Sequence, residues 1–115
     1  MPEPVLIVLC NLPDADSAAS VARMLVERRL AACVNILAPA RSVYRWKNEI
    51  EQAEEIPLLI KTTATRYAAL EVALIEAHPY EVPEILAFEA RSGAPAYLQW
   101  VVECTVPDDQ LPDGL

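Results

Sequence analysis

The chain has 115 residues, room for one domain and one hydrophobic core rather than separate catalytic and regulatory halves. Nine basic residues against seventeen acidic ones give a net charge of −8, which repels phosphate backbones and anionic lipid and argues against nucleic-acid and membrane partners. Hydrophobic residues make up 54% of the chain, above the usual share, so part of that surface is expected to enter a subunit interface.

The apolar run VLIVLC at 5–10 is too short to span a bilayer and lacks the basic leader and small-residue cleavage site of an export signal, so the expected compartment is the cytoplasm. Cys10, Cys33 and Cys104 are odd in number and widely spaced. They build neither a disulfide framework nor a CxxC metal knuckle, and reduced thiols suit that compartment.

In chain order, Pro4 to Asn11 is an unbroken β-branched and leucine run, the pattern of a strand buried on both faces. From Asp16, the residues Ala18, Val21, Ala22 and Leu25 recur at helical spacing. Asp14 or Asp16 caps that helix, and Arg28 and Arg29 meet its negative end. Ala32 to Ala38 reads as a second strand ending at Pro39. VYRWKNEI then alternates, with Tyr44 and Trp46 on one face and Val43, Arg45 and Lys47 on the other. A hairpin is expected around Lys47 to Glu49, because Asn48 tolerates positive φ.

Glu55 to Thr63 forms the next strand, with Pro57 expected at an edge or a bulge since it lacks an amide donor. Tyr67, Leu70, Leu74 and Ala77 build a second helical stripe, started by Thr63 or Thr65 and stopped by Pro79. Ile85 to Ala90 is the fifth strand, and Tyr97, Trp100, Val101 and Cys104 mark a short last helix. The expected organisation is a single domain over 1–106 and an acidic, proline-bearing flexible tail over 107–115.

This order is α+β, a ferredoxin-like βαββαβ arrangement with an extended β-hairpin and an extra C-terminal helix on an antiparallel sheet. Two helices cover one face. The other face, carrying Tyr44 and Trp46, needs a cover as well, and another copy of the chain is the nearest source.

Few side chains carry an obvious chemical signal. His78, the only histidine, precedes Pro79 at the end of the second helix, where it is either a helix terminus or a metal ligand. Cys10 ends the first strand and reads as a buried thiol or as a ligand. Strand ends and helix C-termini gather at one edge of such a sheet, and a thiolate with an imidazole suits copper. Cys33 and Cys104 read as core residues. Glu51, Glu54 and Glu55 read as a solvated cluster that attracts hard cations weakly.

Glu84 is placed to accept from backbone amides or from a neighbouring subunit. Lys61, at the end of a buried strand, pairs with a carboxylate or binds an anion. Tyr44, Trp46, Tyr80, Tyr97 and Trp100 read as packing and interface anchors. With only two glycines, no Walker loop, dinucleotide turn or nucleophile elbow is present, so an enzyme is not expected.

The segments VLIVLCNLPD, ERRLAACVNI, SVYRW, IKTT, HPYEVPEI and AYLQW together resemble the CutA family of divalent-cation tolerance proteins, in the family's order and spacing. The resemblance implies a ferredoxin-like homotrimer, cytoplasmic in bacteria and associated with tolerance to copper and other divalent metal ions. It places the family's proposed copper ligands at Cys10 and His78, with Ala77 where some members carry a further histidine. No cofactor is obligatory. An alternative function is a non-enzymatic signalling-type trimer that binds a small anion or a protein partner in clefts between subunits. Trp46, Glu55, Lys61, Tyr80, Glu84 and Trp100 are the cleft and interface candidates.

Overall fold

The computed structural model describes residues 3–111. Five strands and three helices follow the expected order: β1 Val5–Leu12, α1 Ala15–Glu27, β2 Cys33–Ile36, β3 Ala40–Trp46, β4 Glu49–Thr63, α2 Ala64–Ala77, β5 Ile85–Glu89 and α3 Pro95–Cys104. Every strand pair is antiparallel, and the main sheet runs β2-β4-β1-β5, with β3 paired to the first half of β4. This is the ferredoxin-like α+β plan, and β3 with that half of β4 is the extended hairpin.

Local chemistry sets the element ends. Asp14 caps α1, its carboxylate accepting from the Ser17 amide at 2.7 Å, and these hydrogen bonds lower its pKa. At the other end Arg29 adopts φ 57, and the amides of Arg29 and Leu30 donate back to Val26 and Leu25. That is a Schellman stop with arginine in the place glycine usually takes. Lys47 and Asn48 have φ values of 49 and 69, two successive left-handed residues that turn the hairpin. Glu3, rather than Thr63, supplies the side-chain cap of α2, accepting from the Thr65 amide at 2.6 Å.

The alternation of β1 and β4 separates two faces. Val8, Cys10 and Leu12 of β1 and Ile56, Leu58 and Ile60 of β4 are buried against Leu25 of α1 and Leu70 and Leu74 of α2. Each fully buried side chain of this kind stabilises the fold by about 1.5–3 kcal/mol. On the opposite face α3 seals one end, where Val101 packs with Val5 and Ala32. The rest of that face stays open, and β5 leaves Leu86 59% and Phe88 52% exposed there.

Several expectations change. Pro57 lies in the central strand β4, not at an edge, and pairs with Asn11 of β1. Its carbonyl accepts from Leu37 at 2.9 Å, so the side that lacks a donor faces the break between β2 and β3. The second strand is shorter than expected, Cys33–Ile36, and the return of the hairpin is continuous with the following core strand. Cys33 and Cys104, expected in the core, are only half-buried. Within the expected tail, Asp108–Gln110 form a 3-10 turn and Arg29 binds Asp108 at 2.9 Å, while residues 112–115 lie outside the described region.

Candidate functional site

β4 is 15 residues long, and its first half leaves the body of the protein with β3 as an arm. The molecule measures 52 × 28 × 23 Å with a radius of gyration of 15.2 Å, against about 13 Å for a compact chain of this length. An open cleft of about 730 Å³ runs beneath the arm. β3 provides one wall with Ser42, Tyr44 and Trp46, and the loop after α2 provides the other with Tyr80, Glu81 and Glu84. Glu55 sits at the base.

Asn11, the polar residue within the apolar strand β1, joins these pieces. Its side-chain amide donates to Glu55 at 3.5 Å and to Glu84 at 3.4 Å. The Tyr80 hydroxyl donates to the other Glu55 oxygen at 2.9 Å, and burial, followed by that carboxylate, pushes the Tyr80 pKa up. Glu55 is only 6% exposed, whereas Glu51 and Glu54 are solvated as expected.

His78 is the C-cap of α2 and is buried. The Tyr80 amide donates to its Nδ1 at 3.2 Å, which places the ring hydrogen on Nε2, and Nε2 donates to the Asn11 carbonyl at 2.7 Å. The two rings stack obliquely with centroids 4.7 Å apart. The imidazole therefore ties the end of α2 to the end of β1 and shapes the turn that carries Tyr80.

Cys10 precedes Asn11, so the fold does bring Cys10 and His78 to one end of β1. Cys10 points into the helix-covered core, and burial, followed by the charges of Glu84 and Glu55, pushes its thiol pKa up to about 12. A copper ion needs a thiolate and a ring nitrogen with a free lone pair. As arranged in one chain the pair does not fit copper, because the thiol is held neutral and both ring nitrogens are engaged. Among the described residues no group of three or more His, Cys, Asp or Glu side chains could hold a metal ion.

The six cleft and interface candidates separate. Trp46, Glu55, Tyr80 and Glu84 gather around the cleft, but Lys61 and Trp100 do not join them. Lys61 pairs in register with Ile7 and Cys33 and donates to Asn35, an amide rather than a carboxylate. Trp100 lines a shallower hollow with Val26, Ala32 and Cys104. Sequence reasoning missed Asn11 as the hub, and Lys47 and Glu81 at the mouth. A polar residue inside an apolar strand was the available signal for Asn11; nothing local marked the other two.

Fold and cleft together define a small ferredoxin-like α+β protein with a hairpin arm and an acidic, aromatic groove beneath it. The sequence profile of the CutA1 divalent ion tolerance proteins matches residues 6–104, and the chain belongs to that family. It is 42% identical over 99 residues to the divalent-cation tolerance protein CutA of Thermus thermophilus, covering 86% of this chain and 96% of that one. It is 39% identical over 105 residues to the mouse protein CutA, covering 91% of this chain and 59% of the mouse protein.

Among solved structures, CutA1 of Shewanella sp. SIB1 superposes with a TM-score of 0.86 at 42% identity, over 91% of this chain and 98% of that one. The Archaeoglobus fulgidus protein, called a periplasmic divalent cation tolerance protein, superposes with a TM-score of 0.86 at 30% identity, over 89% and 99%. The family is named for tolerance, not for a reaction. No helix among the described residues is long and apolar enough to cross a membrane.

Proposed function

We propose that the chain works as a non-enzymatic homotrimer in the cytoplasm that binds divalent metal ions, copper among them. One observation carries the assembly: the sheet face opposite α1 and α2 is apolar and only partly closed by α3, with Leu86 and Phe88 more than half exposed. Exposed patches of this kind mark protein interfaces. The projecting arm adds Val43 and Ile50, 63% and 59% exposed, which a neighbouring copy would cover. Sedimentation at low micromolar concentration tests this reading, and a compact, folded single subunit would sink it.

The metal half of the reading rests on the family and on the shared position of Cys10 and His78. At this pair a metal has to compete with the Tyr80 amide for His78 and with a proton for Cys10, so binding is weak at neutral pH and strengthens as pH rises. Cu(II) and Cu(I) titrations of the trimer at several pH values, with Cys10→Ala and His78→Ala beside the parent, check it. Unchanged affinity and stoichiometry in both variants exclude the pair.

The alternative reading is a signalling-type trimer that binds a small anion or a protein partner in clefts between subunits; within one chain, Glu55, Glu81 and Glu84 line the cleft beneath the arm and Lys61 lies outside it.

A further inference from the structure

We propose that in the homotrimer Lys61 of one copy enters the cleft beneath the arm of the next and pairs with Glu55 and Glu84, so that a neighbour completes each cleft. The inference rests on the trimer reading, and on neither Cys10 nor a metal-binding role for His78.

Strand alternation decides which groups the assembly has to cover. Ile56, Leu58 and Ile60 of β4 are buried in the helix-covered core, so the alternate positions Glu55 and Lys61 fall on the opposite, open face. They stand about 20 Å apart along the strand, too far to meet within one chain. Lys61 is the only basic residue in β1, β2, β4 and β5, and it stands in register between Ile7 and Cys33. Its hydrogen-bond partner is the Asn35 side-chain oxygen, which carries no charge. Covering this face with a second copy takes the ammonium group out of water, and a buried charge with only a neutral partner is costly. The cover therefore has to bring a carboxylate.

Glu55 has the opposite need. It is the only buried acidic side chain among the described residues, and its partners are the neutral Tyr80 hydroxyl and Asn11 amide. The same amide holds Glu84 at 3.4 Å, so two carboxylates share one end of the cleft. Among the described residues, no ion pair reaches Glu55, Glu84 or Lys61. Arginines on the helix side are engaged elsewhere: Arg23 with Glu27, Arg29 with Asp108, and Arg66 with the carbonyls that end α1. In a closed ring of three, the patch that a copy offers differs from the patch that it receives. One contact, repeated three times, then neutralises both the lysine and the carboxylates.

Carbodiimide coupling of the full chain in its native assembly, read by peptide mass spectrometry, tests the contact directly. An amide between Lys61 and Glu55 or Glu84 is expected in the trimer, and the Lys61–Glu55 separation along β4 makes that product one between copies. Lys61→Glu should lower the urea midpoint of trimer dissociation, followed by sedimentation, by at least about 1 M. Glu84→Lys, at a position exposed in the single chain, should do the same. Both changes in one chain restore opposite charges at every interface and should recover about half of the loss or more. A trimer whose midpoint is unchanged by Lys61→Glu, or whose Lys61 couples to neither Glu55 nor Glu84, overturns the pairing and leaves the assembly standing. A parent chain that sediments as a single folded subunit overturns both.

Discussion

The two halves of β4 share a backbone conformation and little else. From Ile56 to Thr63 the strand is paired to β1, and from Leu58 to Lys61 to β2 as well, and Ile56, Leu58, Ile60 and Thr62 are buried. From Glu49 to Glu54 it is paired only to β3, and most of its side chains are exposed. Burial is therefore a property of what lies over the strand, not of the strand. Glu55 stands at the join, where the sheet still covers it but the apolar core has ended. That is where a buried carboxylate, a tyrosine hydroxyl and an asparagine amide meet.

The contrast breaks most visibly when the core half is cut. Leu58→Ala should destabilise the chain by about 2–5 kcal/mol, read as a lower denaturation midpoint, because a fully buried leucine leaves a cavity. Alkaline titration is the next test. Cys10 has its pKa raised from 9.0 to about 12 in the folded chain, so the stability it contributes is complete below pH 9 and is lost as pH rises through 12. Denaturation midpoints followed over that window should fall, and Cys10→Ala should flatten the part of the slope due to this thiol.

At the join, Tyr80→Phe removes the hydroxyl donor from buried Glu55 and should cost about 1–3 kcal/mol in chemical denaturation. In the arm, Ile50→Ala should change folding stability by less than about 0.5 kcal/mol, since the side chain is exposed in the single chain. If the proposed assembly covers the arm, the same variant should instead raise the dissociation constant seen in sedimentation. A small effect of opposite sign belongs to Asn48→Gly, which relieves a left-handed residue in the turn and should stabilise by about 0.5 kcal/mol.

Much of the fold was legible because its signals are local. The helical spacing of Val21 and Leu25, the Asp14 cap, the tolerance of Asn48 for positive φ and the stop at Pro79 each act within a few residues. The candidate site was legible only in part. Within one chain Trp46, Glu55, Tyr80 and Glu84 converge, while register on β4 and position on α3 place Lys61 and Trp100 elsewhere. Glu55 was read as solvated because its neighbours Glu51 and Glu54 are, yet the loop from α2 folds over it.

What the sequence determined by itself is the order of the elements, the ends marked by Asp14, Asn48 and Pro79, and the alternation that divides the sheet into two faces, since turns, caps and periodicity are short-range effects. Tertiary structure decided that Pro57 is tolerated in a central strand, because a gap in pairing faces its missing donor. It also decided that both nitrogens of His78 are occupied and that Asn11 bridges two carboxylates 44 and 73 residues away. Those outcomes depend on which groups meet across the sheet, and no residue carries that information in its immediate neighbours.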